Sequence, residues 1–344
     1  MPELPRNLPG FDRYYAWFRN GAVGRLLIAS ARAGVFTALA GAKSAAGLAL
    51  ELGLHPATLK SLLDILVVLG LLVRDGPDGY RDTAEAASLF SADSYANVLH
   101  LLEEVRLGVE EPMADLPGLL RDGPPPADPA MLMNSLAPEV WAASADGSAA
   151  WALRGAGLQA ARIIAGLPGS RDFSLMLDLG GGPGVFGLYA ASLLPGLRVT
   201  VLDSAPVLEV AEKYIRGHGF GDRVVTAPLD YFKDPLPGGA DVVLASCTLN
   251  LALPDRLGEV VGKIYDSLNP GGYFVSLHDS WPDEPEEEGR FTLEYPLYSL
   301  LTGVQVNMPA GLVASTALDR GFRQVRSKDT LFNGGILAVD VARK

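Results

Sequence analysis

One stretch limits what this chain can become: Leu175-Met176-Leu177-Asp178-Leu179-Gly180-Gly181-Gly182-Pro183-Gly184. Its apolar start reads as a buried strand, an acid stands near the strand's end, and a run of glycines turns the chain. Val185 to Leu194 continue as an apolar helix. Glycine serves where the backbone must turn sharply or meet a ligand closely, because a Cβ would collide there. Strand, glycine loop and helix in this order form the nucleotide-binding edge of a doubly wound α/β sheet.

The surrounding pattern agrees. Strands are expected over Leu175–Leu179, Arg198–Leu202, Val224–Ala227, Val242–Ser246 and Tyr273–Leu277, the last entered by a tight turn at Asn269-Pro270-Gly271-Gly272. Helices are expected over Val185–Leu194, Ala205–Gly217, Asp255–Ser267 and Leu312–Arg320, with Arg323–Ser327 and Gly335–Val341 as a closing antiparallel pair. Alternating elements imply a parallel sheet covered on both faces, with ligands at the carboxyl ends of its strands. Those ends carry Gly180 to Gly184, Asp203, Asp230, Ser246 to Asn250, and His278-Asp279. Packing alone does not explain five consecutive polar strand ends.

A chain of 344 residues is long for one domain. We expect a first domain over residues 1–105, a helical linker and substrate-pocket region over 106–170, and the α/β domain over 171–344. In the first, Val23–Leu39, Ser44–Leu52 and Pro56–Leu69 read as helices, and Leu71–Arg74 with Gly79–Arg81 as a hairpin. Helix, helix, helix, hairpin is a winged-helix order. Its third helix holds one Lys and one Asp among apolar residues, whereas a helix that reads DNA needs polar side chains for base edges and cations for phosphates. It is built for burial, in its own domain or against a second subunit, and His55 reads as a turn residue. Asn97–Asp115 reads as an amphipathic helix, and Pro117, Gly118, Gly123-Pro124-Pro125-Pro126 and Pro129 as breakers. Met131–Ser144 and Trp151–Leu167 read as two more helices. Met131, Met133, Trp141 and Trp151 are ordinary helix core one by one, and as a group could wall a hydrophobic substrate pocket between domains.

The net charge of −12 counts against a phosphate-tracking surface. The acidic run Asp283 to Glu288 reads as a solvated loop. A lone cysteine, Cys247, excludes an intrachain disulfide, and the scattered His55, His100, His218 and His278 suggest no metal. No secretory leader is visible, and no apolar run reaches the roughly 18–20 residues of a membrane helix. A soluble cytoplasmic protein without nucleic-acid or membrane partners is expected.

Asp203 lies where an acid takes the ribose hydroxyls in Rossmann-type sites, and its charge would repel a 2′-phosphate. The NAD fingerprint G-x-G-x-x-G/A fails at Val185. The run Asp-Leu-Gly-Gly-Gly-Pro-Gly instead resembles the first motif of class I S-adenosylmethionine-dependent methyltransferases. With the winged-helix order before it, Asn269-Pro270-Gly271-Gly272 and Arg320-Gly321-Phe322 in the α/β part, most of the chain resembles the family 2, plant-type and antibiotic-biosynthesis O-methyltransferases. The resemblance implies a Rossmann-like methyltransferase domain, a first domain that dimerises, S-adenosylmethionine as cofactor and a small, hydrophobic or aromatic methyl acceptor. It implies that Asp178, Gly180, Gly181, Gly182, Asp203 and Ser204 approach the cofactor. Asp230 would accept the adenine amino group beside Tyr231 and Phe232, with Ser246 and Cys247 near the methionine end. Met131, Trp141, Asn250, His278 and Asn307 would line the acceptor pocket.

The family's proton-accepting His follows the fourth strand, where this chain has Asn250, and an amide is no general base. His278 stands where the family has an orienting Glu, and Asn307 where it has a later one. Either the base has moved, with His278 deprotonating or orienting the acceptor, or His278 is structural and alignment alone drives the transfer while Asn250 positions the acceptor. Methylation at oxygen, carbon or nitrogen stays open. So do a cofactor-binding chain with other chemistry or none, and a winged-helix regulator that senses a ligand.

Overall fold

The computed structural model describes residues 11–94, 97–123, 138–252, 256–281, 294–303, 306–333 and 335–344. The chain divides into two compact units, Met1–Arg106 and Leu107–Lys344.

In the first unit, helices α1 (Phe11–Arg32), α2 (Val35–Ala38), α3 (Ala45–Leu52) and α4 (Pro56–Val68) precede a hairpin of β2 (Leu72–Asp75) and β3 (Gly79–Asp82). A two-residue strand, β1 (Lys43–Ser44), joins β3, and the sheet order is β1-β3-β2. The first helix starts at Phe11, not Val23, and Gly34 at φ +75° separates it from α2, so the expected single helix to Leu39 is two. Only glycine takes that left-handed backbone without strain, and it closes a helix there. The Ser44 hydroxyl accepts from the Gly47 amide and caps α3. His55 is the N-cap of α4, its Nδ1 accepting from the Thr58 amide at 3.4 Å. The buried stripe Leu59, Leu63 and Leu66 of α4 packs with Val35, Phe36, Leu39, Leu48 and Tyr80, while Ile65 and Val68 stay exposed. Helices α5 (Ala84–Phe90) and α6 (Leu99–Val105) follow.

The expected amphipathic helix at 97–115 is α6, a π-turn over Arg106–Glu110 and a 3-10 turn over Pro112–Asp115. Pro117 and Gly118 do not break structure: they lie in the first turn of α7 (Leu116–Asp122). A missing N–H is harmless there, and the Asp115 carboxylate caps the Gly118 amide. Helix α8 (Pro138–Trp151) joins α9 (Gly157–Ala165) through a π-turn in which Gly155 has φ +132°. Residues 124–137 and 282–293, with Met131, Met133 and the acidic run, lie outside the described residues.

The second unit is built on β4 (Leu175–Leu179), β5 (Arg198–Asp203), β6 (Val224–Pro228), β7 (Ala240–Ser246), β8 (Leu268–His278), β9 (Gln324–Phe332) and β10 (Gly335–Arg343). Their order is β6-β5-β4-β7-β8-β10-β9. The five strands from β6 to β8 are parallel, and β10 closes antiparallel on β8 and β9. Residues 269–272 are not a separate turn: they lie within β8, as an irregularity where its register against β7 shifts between Ala240 and Val242, with Gly271 at φ +83°.

Alternate strand residues feed two cores, as period-2 side chains must. Met176, Val199, Val201, Val242, Leu244 and Val275 face α8, α9, α10 (Val185–Leu193) and α11 (Ala205–Gly217). Leu177, Leu179, Leu202, Val243 and Phe274 face α12 (Leu257–Ser267) and α14 (Leu312–Asp319), α13 being Glu294–Thr302. The helices of 138–165 are therefore part of the second unit's core. None of the described helices is long and apolar enough to cross a membrane.

Candidate active site

The loop after β4 has Gly180, Gly182 and Gly184 at φ +61°, +53° and +73°. A Cβ at Gly180 would stand 2.3 Å from the Thr248 hydroxyl, and one at Gly181 would collide with Val201 and Asp178. At Gly182 a Cβ would meet nothing within 4 Å, so this glycine's free side faces open space. The loop is held from behind and open in front.

Asp203 ends β5. One of its oxygens accepts from the Gly182 amide at 2.9 Å and the other from the Ser204 amide at 2.7 Å. Each keeps a lone pair, enough for two vicinal hydroxyls. Burial pushes this carboxyl up while the amides of Ser204 and Gly182 draw it down, with a net rise. Asp178 is fully buried, accepts from the Gly187 amide at 3.1 Å through one oxygen, and leaves the other without a partner. Its carboxyl is pushed up to about 7, by burial first and with the charge of Asp203 adding to it.

Asp230 follows β6. It accepts from the Phe232 amide at 3.0 Å and pairs with Lys233 at 2.8 Å. Burial pushes its carboxyl up, but these bonds outweigh it and hold the group below its ordinary range. The Tyr231 and Phe232 rings lie 4.5 Å apart, centre to centre, and the Tyr231 hydroxyl meets the Thr248 hydroxyl at 3.0 Å. At the end of β7 the Ser246 hydroxyl is buried without a partner. Cys247 has φ +51°, the one positive φ of a non-glycine residue among those described, and its amide donates to the Leu277 carbonyl at 2.7 Å. Backbone held in that region costs about 1–3 kcal/mol and collects at functional sites.

Asn250 sits in a 3-10 turn over Leu249–Ala252 and is buried. Its amide nitrogen donates to Asp279 and, at 2.9 Å, to the Val306 carbonyl. Two acceptors fix which end of the amide is which. The other Asp279 oxygen, the Asn250 oxygen and the Asn307 oxygen are all buried without partners. His278 has a different neighbourhood: its Nδ1 lies 2.9 Å from the Ser276 hydroxyl and its Nε2 3.8 Å from Asp340 on β10. Burial pushes its imidazole down to about 4, so the ring is neutral near neutral pH. No hydrogen bond joins His278 to Asn250. Trp141 on α8 is 40 % exposed, and its carbonyl accepts from the Ser144 hydroxyl. It is Trp151 that packs inward, against Phe186 and Phe332.

The structure thus gathers the glycine loop, Asp178, Asp203, Ser204 and Ser246, and separately Asn250 with Val306 and its neighbour Asn307. Thr248 and Asp279 were not singled out as site residues in the sequence. Asp279 had one visible signal, its position at a polar strand end. Thr248 had none, since its role is set by contact with Gly180 and Tyr231. Among the described residues no group of three or more His, Cys, Asp or Glu could hold a metal ion.

Half-buried Asp203 and fully buried Asp178 against an open, positive-φ glycine loop suit a ligand that brings positive charge and a ribose. They oppose a diphosphate. S-Adenosylmethionine, with its sulfonium, ammonium and ribose diol, fits this donor and acceptor set.

Comparison with known proteins agrees. Residues 156–306 match an O-methyltransferase domain family. The tetracenomycin polyketide synthesis 8-O-methyl transferase TcmO of Streptomyces glaucescens is 29 % identical over 310 residues, 88 % of either chain. Acetylserotonin O-methyltransferase of Macaca mulatta is 30 % identical over 197 residues, 56 % of this chain and 53 % of that protein. The crystal structure of human N-acetylserotonin methyltransferase in complex with S-adenosylmethionine superposes with a TM-score of 0.75 at 24 % identity, covering 99 % of each chain.

Proposed function

We propose that this chain is a family 2 S-adenosylmethionine-dependent O-methyltransferase that methylates a hydroxyl of a small aromatic acceptor as a cytoplasmic homodimer. The observation that carries the methyl-transfer reading is the loop itself: half-buried Asp203, bonded to the Gly182 amide, beside the open side of that glycine, with fully buried Asp178 behind the loop. Bound there, S-adenosylmethionine supplies an electrophilic methyl group on a sulfonium. Asp203 holds the ribose diol. Gly182 lets the backbone approach, Gly180 and Gly181 seat the loop against Thr248, Val201 and Asp178, and Ser204 keeps Asp203 oriented. Asp230, Tyr231 and Phe232 form the adenine edge. Asp178 and Ser246, each with an unpartnered buried oxygen, face the methionine end next to Cys247.

Asn250 and Asn307 mark the acceptor end, with Trp141, Met131 and His278 as further candidates for its lining. An oxygen acceptor on an aromatic body is supported by the names of the relatives, a polyketide 8-O-methyl transferase and acetylserotonin O-methyltransferases. Calorimetry is expected to give a saturable signal with S-adenosylhomocysteine and none with NAD. The reverse result would overturn the cofactor assignment.

The first unit supports the dimer. Helix α1 leaves Phe11, Tyr14, Tyr15, Trp17 and Phe18 more than half exposed. A run of large exposed aromatics marks an interaction surface, and a second copy of the winged-helix-like unit is the partner we assign. Replacing Trp17 and Phe18 together by Glu is expected to turn a dimer into a monomer in sedimentation equilibrium. An unchanged mass would remove α1 from the interface.

A further inference from the structure

We propose that Asp279 is the residue that receives the acceptor's proton, with Asn250 fixing its orientation. This rests on the methyl-transfer reading above. Two facts of geometry carry it. First, Asn250 spends both of its N–H groups, one on Asp279 and one on the Val306 carbonyl, which locks the carboxylate in place through a turn 29 residues away in the chain. Second, the oxygen of Asp279 that Asn250 does not touch is buried and makes no well-formed hydrogen bond, though the Met308 amide lies near the carboxyl, and the oxygens of Asn250 and Asn307 are likewise buried without partners. A buried acceptor left unsatisfied costs about 1–3 kcal/mol. Three of them at one end of a site call for a ligand that brings hydrogens, and a hydroxyl does.

The other ionisable groups at these strand ends are less suited. His278 is enclosed, with Ser276 on one nitrogen and Asp340 facing the other. Tyr231 is tied to Thr248 and pushed up to about 12, mainly by burial. Cys247 is held in a strained turn by its own backbone. Asp279 itself is pushed up by burial to about 6, with the Asn250 amide, the Met308 amide and its own amide drawing it down. Among the described residues, the elements packed against it, the 249–252 turn, the 306–309 segment and the end of β8, bring no charged side chain that moves this value. It is therefore ionised at neutral pH, yet more basic than an exposed carboxylate.

The step balances. As the acceptor oxygen takes the methyl group, its O–H bond breaks and the proton passes to the free oxygen of Asp279. The electron pair of the broken S–C bond stays on sulfur, which ends as a neutral thioether, and the neutral acid later returns its proton to water.

The test uses the full-length enzyme, the near-isosteric Asp279→Asn, and Asp279→Glu. With 4-nitrophenol, phenol and 1-naphthol as acceptors, Asp279→Asn is expected to lose about 10²–10⁴-fold in kcat, the range for removing a general base. S-Adenosylhomocysteine should bind the variant as it binds wild type, and Asp279→Glu should recover part of the rate. Wild-type kcat should fall below about pH 6, and this limb should be absent from Asp279→Asn. A readout free of turnover is infrared difference spectroscopy of the S-adenosylhomocysteine complex. A carboxyl band lost in Asp279→Asn is expected to move when a phenol is added. A kcat within threefold of wild type, or a band that none of the three phenols moves, overturns the assignment. Failure of S-adenosylhomocysteine to bind wild type would instead sink the methyl-transfer reading.

Discussion

Asp203→Ala is expected to weaken binding of both S-adenosylmethionine and S-adenosylhomocysteine by about 10²–10⁴-fold. A hydrogen bond to a charged group contributes about 1.5–3 kcal/mol. Two ribose hydroxyls on one carboxylate contribute about 3–6 kcal/mol, and about 1.4 kcal/mol is a factor of ten. The substitution also orphans the Gly182 amide, which now donates to Asp203, so the open glycine loses the bond that holds it in place. Asp203→Asn keeps one acceptor oxygen and should fall between. Calorimetric titration of the three proteins gives the answer directly, with circular dichroism to verify the fold. A loss below threefold in Asp203→Ala would mean the ribose is held elsewhere.

The second large effect lies in the first unit. Asp82 on β3 is 4 % exposed, and neither of its oxygens has a partner. Burial alone pushes its carboxyl up to about 7. Because the folded value exceeds the unfolded one, the folded state binds the proton more tightly. Stability is therefore favoured below about pH 4 and declines as pH rises toward about 7, where the ion must sit buried. Each pH unit between the unfolded and folded values is worth about 1.4 kcal/mol, so the interval from about 4 to about 7 sets an upper limit of about 4 kcal/mol. Asp82→Asn removes the ionisation and keeps the volume. We expect the melting transition of this unit to rise on the order of 10 °C at pH 8.5, since 1 kcal/mol is worth about 4–8 °C in a domain of this size. Near pH 4 wild type and variant should melt together. Scanning calorimetry at both pH values, with hydrogen exchange over residues 43–90 to identify the unit, decides it. Equal gains at the two pH values would show that Asp82 does not titrate in this range.

Much of the second unit was legible because its signals are local. Short apolar runs and glycine turns placed β4 to β7 within two residues of their observed ends, and β9 and β10 as the closing pair. Other readings failed for physical reasons that local patterns do not carry. Gly34 divides the first helix by taking the left-handed conformation, and a glycine within an apolar stretch does not announce which conformation it takes. Pro117 looked like a breaker, yet in the first turn of a helix it breaks no bond. At the site, the sequence drew attention to His278, the ionisable side chain nearest the family's vanished acid. One residue further along, Asp279 is the neighbour Asn250 binds.

The sequence alone determined the β/α frame and the glycine loop, and placed Asp203 at the end of the strand beside that loop. These depend on side-chain alternation, on backbone that only glycine adopts freely, and on spacing along one connected unit. The tertiary structure alone decided what surrounds Asn250. Asn250 meets Asp279 and Val306 from 29 and 56 residues away, through the adjacency of β7 and β8 and the return of the chain at 306–309. Which buried acceptor is satisfied and which is left for a ligand follows from those meetings, because a hydrogen bond depends on where two strand ends arrive and not on what either carries.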